Sequence, residues 1–598
     1  MKYGFDDIVA ISKDAVDKIT GKANEAVNVS KAYVERAQLR VKLKERYYEL
    51  GKVCYSMHKD STDETGNMKR LIKEIKMLEA QLEFAEDASG KPHVCEFCGA
   101  KNAPDNTYCC KCGERLSNHN INSQMEGMNI TIKKNDIITL EITDITAEGS
   151  GVGHENGMAV FVPSAAKGDI ISCRIVKVLK NLCYGIVEEI ITPSPDRQDR
   201  GCDVKKACGG CVFRHISYES ELDIKNNIVK NAFIRLGKFE DSEMFLPPLG
   251  CDETDKYRNK AQYPVTTDKD GRLTCGFYAQ RSHRVVPCTD CLLQPDTFGE
   301  LLREILKLAN ERHISAYDEA GGKGILRHIY LRRGYHSGEI MVCFVSSKPD
   351  PKFQSIADIL MKNHADIKSV ILNINSKNTN VIMGSRCITL GGSDTITDIM
   401  CGNRISLSPL SFYQVNTAQA EKLYGIAAEF AALTGDEDVL DLYCGAGTIG
   451  LSMAGKAKHI TGAEIIPQAV ENAKLNAREN GIENADFICA DAGQAAKLLC
   501  DKGRAPDVII TDPPRKGCDA LTLDSIVKMS PKRVVMVSCN PATAARDCRC
   551  LADKGYELQK VRAVDLFPGT GHVECVALLS KLKSDQHIEK NTQRSAAL

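Results

Sequence analysis

Between Glu437 and Pro541, short apolar runs alternate with helical stretches across glycine- and proline-bearing turns, and this alternation restricts the fold more than any other feature of the chain. Strand–helix–strand units of this kind wind right-handedly into an open sheet covered by helices on both faces. Val439-Leu-Asp-Leu-Tyr443 reads as a buried strand, Cys444-Gly-Ala-Gly447 as a tight loop, and Thr448 to Ala454 as the opening of a helix. A second strand ends at Thr461-Gly-Ala-Glu464, a helix covers Pro467 to Asn480, and strands 486–488 and 507–511 are followed by Asp491 and Asp512. Val534-Val-Met-Val-Ser-Cys-Asn-Pro541 is a further buried strand, halted with a thiol at its carboxyl end. Open α/β sheets bind their ligands beyond the carboxyl ends of the strands, so Cys539 is either a packed small hydrophobe or a nucleophile.

The loop segment Gly445-Ala-Gly447-Thr-Ile-Gly450 satisfies the dinucleotide pattern, which is weak evidence by itself. Asp441 inside the first strand, the Asp512-Pro-Pro-Arg515 turn and the later thiol favour S-adenosylmethionine over NAD, with Glu464 placed to accept ribose hydroxyls. Enzymes that methylate the adenine amino group carry a base-stacking aromatic where Arg515 stands, so amino-group methylation is not expected.

The remainder of the 598 residues exceeds what one core can hold, and several domains are expected. Residues 1–90 carry heptad-like spacing (Leu43, Tyr47, Leu50, Cys54, Met57, then Met68, Leu71, Ile75, Leu78, Leu82), which predicts a helical hairpin or a coil open to self-association or a protein partner. Residues 91–118 hold Cys95-Glu-Phe-Cys98 and Cys109-Cys-Lys-Cys112, two knuckles spaced to wrap one zinc ion as a ribbon. Residues 130–191 read as short strands with glycine-rich turns, a small OB-like β-barrel. Residues 192–403 form a central α+β region that opens with Cys202, Cys208 and Cys211 and brings Cys288 and Cys291 later, a set suited to an iron–sulfur cluster or zinc. This region also interleaves cations with aromatics (Tyr257-Arg-Asn-Lys260, Arg281-Ser-His-Arg284, Arg327-His328, Arg332-Arg333), which suits phosphate contacts and base stacking. Residues 404–582 are the cofactor domain, and 583–598 a disordered tail.

A net charge of -1, from 78 Lys plus Arg against 79 Asp plus Glu, gives no global attraction to polyanions, so RNA binding requires local patches. Without a signal peptide or an apolar run long enough to span a bilayer, a cytoplasmic protein with no membrane partner is expected. In that reducing setting the 26 cysteines point to metal ligation and catalysis rather than disulfides.

Five motifs in order, Phe412-Tyr-Gln-Val-Asn416, Asp441-Leu-Tyr-Cys-Gly-Ala-Gly447, Asp512-Pro-Pro-Arg-Lys-Gly517, Ser538-Cys-Asn-Pro541 and His572-Val-Glu574, resemble those of the RNA uracil-C5 methyltransferases of the RumA/TrmA type. The resemblance covers about residues 130–581. It implies a Rossmann-like methyltransferase domain, a TRAM barrel over 130–191, and a [4Fe-4S] cluster on Cys202, Cys208, Cys211 and Cys291, with Cys288 as the competing fourth ligand. Barrel and cluster together mark the branch that acts on 23S ribosomal RNA. The resemblance further implies S-adenosylmethionine binding by Gln414, Tyr443, Glu464 and Asp512, Cys539 as nucleophile on uracil C6, and Glu574 as the base that removes the C5 proton. Transfer RNA as substrate, or a non-catalytic ribosome-associated adaptor, are the competing readings. Gly569, where family members carry a bulky residue, suggests a more flexible loop ahead of Glu574.

Overall fold

The computed structural model describes residues 132–582 except Asp241 and Ala320, together with Leu71, Glu74, Ile75 and the two-residue strands His93–Val94 and Lys101–Asn102. The expected helical hairpin, beyond those three residues, the four cysteines Cys95, Cys98, Cys109 and Cys112, and the tail 583–598 lie outside the described residues. The chain divides into two compact units, Met1–Thr131 and Ile132–Leu598. In the first, His93–Val94 pairs antiparallel with Lys101–Asn102.

The second unit begins with a six-stranded sheet, in the order Ile137–Glu141, Ile170–Val178, Leu182–Thr192, Met158–Pro163, Ser150–Glu155, Asp144–Ile145. Alternate residues of these strands, among them Leu140, Val160, Val162, Ile171, Cys173 and Ile175, point into one core that Phe213 and Ile216 complete. A seven-stranded central sheet follows, with Lys260–Thr267, Leu326–Arg333 and Ile340–Ser346 side by side in its middle. Helices Asp296–Glu311 and Lys352–Asn363 contribute Phe298, Leu302, Ile305, Phe353, Ile356 and Leu360 to its core.

Three side chains expected to meet phosphate are instead internal. Arg327 is buried and forks onto the Glu319 carboxylate and the carbonyls of Asn375 and Lys377. Arg332, also buried, donates to the carbonyls of Ser408 and Ser411, and His328 is buried as well. Cation–aromatic interleaving describes sheet-internal braces here as well as it describes an RNA surface. Arg281 and Arg284 are exposed.

The carboxyl-terminal sheet has eight strands, numbered here in chain order: β1 Phe245–Leu249, β2 Asp438–Leu442, β3 His459–Glu464, β4 Ala485–Cys489, β5 Val508–Thr511, β6 Arg533–Ser538, β7 Tyr556–Val564 and β8 Glu574–Lys581. Their spatial order is β4-β3-β2-β5-β6-β8-β7-β1. β4 through β6 run parallel, whereas β8 is antiparallel to both of its neighbours. Leu440, Leu442, Ile509, Val534 and Met536 face one helical layer, and Val439, Val508, Ile510, Val535 and Val537 face the other. Burial on both faces explains the near-continuous apolar runs in the sequence. The Rossmann-like winding expected from those runs is therefore present. One extension was not legible: β1 pairs with β7, and the helix Tyr218–Arg235 packs Val229 and Phe233 into this core, although both segments precede the central sheet in the chain.

Candidate active site

The direction of winding reverses between β2 and β5, and such a switch point opens a crevice at the carboxyl ends of the strands. Tyr443 leaves β2 with φ 66°, a left-handed conformation unusual for a side chain of its size, and turns the backbone into the glycine loop. Gly447 has φ 81°, and a Cβ there would stand 3.0 Å from the Phe487 ring, so glycine is needed on both counts. Glu464 ends β3 and accepts hydrogen bonds from the Gly445 and Ile466 amides at 3.1 and 2.9 Å, which fixes the loop against the strand.

Asp441 is buried within β2; one carboxylate oxygen accepts from the Gly450 amide at 3.0 Å, while the other has no partner among the described residues. Burial, then repulsion from Asp512 and Glu464, pushes its carboxyl up to about 7. Asp512, directly after β5, is raised to about 7 by burial. Carboxylates that repel one another around a glycine cradle suit a cationic ligand, and the sulfonium and ammonium groups of S-adenosylmethionine are cationic. Asn259 donates to the backbone carbonyl of Gln414 at 2.7 Å, which places Gln414 in the segment joining the central sheet to this crevice.

Cys539 directly follows β6 and is half-buried. The next residue, Asn540, caps the helix Pro541–Ala552 through its side chain and donates to the Arg515 carbonyl at 2.8 Å, so the thiol loop and the Asp512-Pro-Pro-Arg515 turn are tied together. The β6–β8 register pairs Ser538 with Cys575, and carried one step further it sets Cys539 opposite Glu574. Because β8 is antiparallel, its first residue meets the last turn of β6. Glu574 is buried, and burial followed by the Asp512 charge raises its carboxyl to about 8, with Arg515 opposing. The Cys539 thiol is also raised, first by burial, then by Glu574 and Asp512; Arg515 pulls it down without prevailing. Arg515 therefore acts as the cationic neighbour the thiol needs, yet the resting group is a thiol. An Arg515 guanidinium nitrogen lies 3.3 Å from His572 Nδ1.

The loop ahead of Glu574 is pinned on both sides, contrary to the flexibility expected from Gly569. The Val212 and Phe213 amides donate to the Gly569 carbonyl at 2.9 and 3.1 Å, Tyr257 donates to the Pro568 carbonyl at 3.0 Å, and the Gly569 amide donates to Glu221 at 2.6 Å. Behind it, the fully buried Lys225 ammonium lies 2.7 Å from Glu221 and 2.8 Å from Asp565 and also donates to the Phe567 carbonyl, while Arg200 completes the cluster at 2.9 Å from Glu221. The sequence signal for this cluster was a charged pair four residues apart on a helix face that also carries Val229 and Phe233.

Cys202, Cys208, Cys211, Cys288 and Cys291 all line one cavity of about 320 Å³. The Cys208, Cys211, Cys288 and Cys291 thiols are held protonated chiefly by burial and, for Cys211 and Cys288, next by the charge of Cys291. The Gly210 amide lies 3.4 Å from Cys208 Sγ. Among the described residues, no group of three His, Cys, Asp or Glu side chains is gathered so as to hold a metal ion, so the expected ligands share a cavity without forming a coordination shell. No helix among the described residues is long and apolar enough to cross a membrane.

A family profile described as tRNA (Uracil-5-)-methyltransferase matches residues 217–582. An RNA methyltransferase of Halalkalibacterium halodurans is 42% identical over 449 residues, covering 75% of this chain and 98% of that protein. One from Clostridium acetobutylicum is 41% identical over 455 residues, 76% of this chain and 99% of the relative. Among solved structures, the Pyrococcus abyssi tRNA (uracil-54, C5)-methyltransferase in complex with S-adenosyl-L-homocysteine superposes with a TM-score of 0.59 at 27% identity, covering 74% of this chain and 100% of that one.

Proposed function

This chain belongs to the tRNA (uracil-5-)-methyltransferase family and is an S-adenosylmethionine-dependent RNA methyltransferase, and on that premise we propose that it methylates uridine C5 in 23S ribosomal RNA, with Cys539 as nucleophile and Glu574 as base. The observation that carries the proposal is the facing of Cys539 and Glu574 across the β6–β8 seam, beside Asp512 and Arg515.

Uracil C5 is too weak a carbon nucleophile to take a methyl group unaided. The Cys539 thiolate adds to C6, and its electron pair makes the ring an enolate with nucleophilic C5. S-adenosylmethionine supplies the electrophilic methyl group, and Gln414, Tyr443, Glu464 and Asp512 would hold it. C5 then carries both a methyl group and a proton. Glu574 takes that proton, the ring electrons return, and the C6–sulfur bond breaks to release Cys539. A carboxyl raised to about 8 is a stronger base than an exposed glutamate, which suits a carbon acid.

Cys202, Cys208, Cys211 and Cys291 would hold the [4Fe-4S] cluster, with Cys288 the alternative to Cys291, in a structural or RNA-positioning role. The shared cavity supports this, since a metal would replace the protons that burial keeps on Cys208, Cys211 and Cys291. The six-stranded sheet over residues 137–192 acts in this reading as a TRAM-like RNA-binding barrel. Cys95, Cys98, Cys109 and Cys112 would bind zinc, and the strands His93–Val94 and Lys101–Asn102 that flank the first knuckle support that. A helical amino-terminal module that recruits a partner or a second copy, and a cytoplasmic location, complete the proposal.

A second reading, methylation of transfer RNA, is favoured by the substrate of the Pyrococcus abyssi relative. Incubating the protein with labelled S-adenosylmethionine and either purified 23S ribosomal RNA or transfer RNA, then mapping the label, separates the two. Label at uridine C5 of ribosomal RNA is expected, and Cys539→Ala should abolish it while retaining cofactor binding. Full activity of that variant overturns the nucleophile assignment.

A further inference from the structure

We infer that His572 is a positioning residue for the proposed methylation: its ring is the rest on which the Arg515 guanidinium lies, and it holds that cation toward Cys539 and Glu574. The inference rests on the proposed roles of those two residues.

Arg515 is exposed, and its backbone is fixed where its head is not. Its carbonyl accepts from the Asn540 side chain at 2.8 Å and from the Thr543 hydroxyl at 3.4 Å. Among the described residues no carboxylate pairs with the guanidinium, and its hydrogen-bond-length contacts are with His572 alone. One guanidinium nitrogen lies 3.3 Å from Nδ1 of that ring and 3.5 Å from Nε2. The two ring nitrogens flank Cε1, so a nitrogen this near to both cannot lie in the ring plane without colliding with that carbon. It therefore stands over the ring face, where a cation meets the negative side of a neutral aromatic. Without such a rest, an arginine side chain spreads its charge over many rotamers, and only some of them serve the thiol and the carboxylate.

The ring is itself held. The His572 amide donates to the Thr570 hydroxyl oxygen at 3.3 Å, and that hydroxyl donates to the Phe567 carbonyl at 2.8 Å. The Phe567 ring meets the imidazole edge-on, with centroids 6.0 Å apart and 81° between planes. The same Phe567 carbonyl accepts from the buried Lys225, so the rigidity of the buried ion cluster passes outward to an exposed cation. Burial, then Arg515, Lys225 and Arg258, lowers the imidazole, which keeps it neutral beneath the guanidinium. At Cys539, burial and then Glu574 and Asp512 raise the thiol, and Arg515 is the one charge that opposes them; it opposes Asp512 at Glu574 as well. Loss of the rest is therefore readable at the thiol.

The test reads Cys539 directly, without RNA or S-adenosylmethionine. Full-length protein is treated with iodoacetamide across a pH series, the thiolate displacing iodide, and the Cys539 peptide is quantified by mass spectrometry. Arg515→Ala should raise the midpoint of alkylation by about one pH unit. His572→Ala should raise it by most of that amount, and the double variant should go no further than Arg515→Ala alone. His572→Phe, which keeps an aromatic face and removes both ring nitrogens, should recover most of the shift. The acid limb of kcat/KM for methylation should move in step. Additive shifts, an unmoved midpoint in either alanine variant, or a His572→Phe midpoint as high as that of His572→Ala overturn the inference. So does a fall in Tm shared by both His572 variants with no change of midpoint, which would show a purely structural ring. Full methylation by Cys539→Ala overturns the nucleophile assignment instead, and leaves the coupling between His572, Arg515 and the thiol standing.

Discussion

Glu574 stands opposite Cys539 because an antiparallel strand begins where a parallel strand ends. The Cys539 thiol is delivered by the carboxyl end of β6 and the Glu574 carboxylate by the amino end of β8, with register between them set by backbone hydrogen bonds. Burial, then Glu574 and Asp512, raises the Cys539 thiol, and burial, then Asp512, raises Glu574, so neither is charged without cost.

Glu574→Gln should trap the methylated intermediate, since addition and methyl transfer remain possible while proton removal does not. A slower protein–RNA band on a denaturing gel is the expected result, and its absence places the base elsewhere. The same substitution has a sign in stability. A carboxyl whose folded pKa is raised binds protons more tightly when folded, so its favourable contribution is present below pH 4.5 and is lost as pH rises through about 8. Relative to wild type, the glutamine variant should gain thermal stability between pH 5 and pH 8.5, by about 2–4 °C per kcal/mol.

Arg515→Ala removes the cation that lowers both Cys539 and Glu574. In the proposed mechanism both groups act as anions, so kcat/KM of the wild type should rise with pH, and the acid limb of the variant should move to higher pH. Arg515→Lys should restore part of the shift. An unmoved profile would separate Arg515 from the proton chemistry.

Lys225→Met leaves Asp565 without a counter-charge inside the core and Glu221 with Arg200 alone. Breaking such a buried cluster costs about 3–5 kcal/mol, read as a lower urea midpoint. Since Glu221 holds the Gly569 amide and Lys225 the Phe567 carbonyl, activity should fall further than the unfolded fraction explains. A variant with an unchanged midpoint would contradict the buried charge assignment.

Gly447→Ala meets two obstacles, a left-handed φ of 81° and the Phe487 ring at 3.0 Å. The expected outcome is a rise in KM for S-adenosylmethionine of about tenfold with a smaller change in KM for RNA, since αL strain of roughly 1–2 kcal/mol falls on the cofactor loop. Equal changes in both would move the defect away from that loop.

The strands of the cofactor half and their winding were legible because burial on both faces writes long apolar runs into the chain, and the glycine loop and Cys539 were legible because turns and strand ends demand particular residues at short range. Arg327 and Arg332 read as an RNA surface, since a guanidinium beside a tyrosine looks alike whether it meets phosphate or a buried carbonyl. The pinning of the Glu574 loop was equally hidden: its partners Val212, Glu221 and Tyr257 lie more than three hundred residues away in sequence. Local composition thus pointed to the candidate residues and to the kind of element on which each stands. Only the tertiary structure decided which of them face one another, because register across a sheet and counter-charges inside a core are set by packing between distant segments, and a linear pattern carries no record of that pairing.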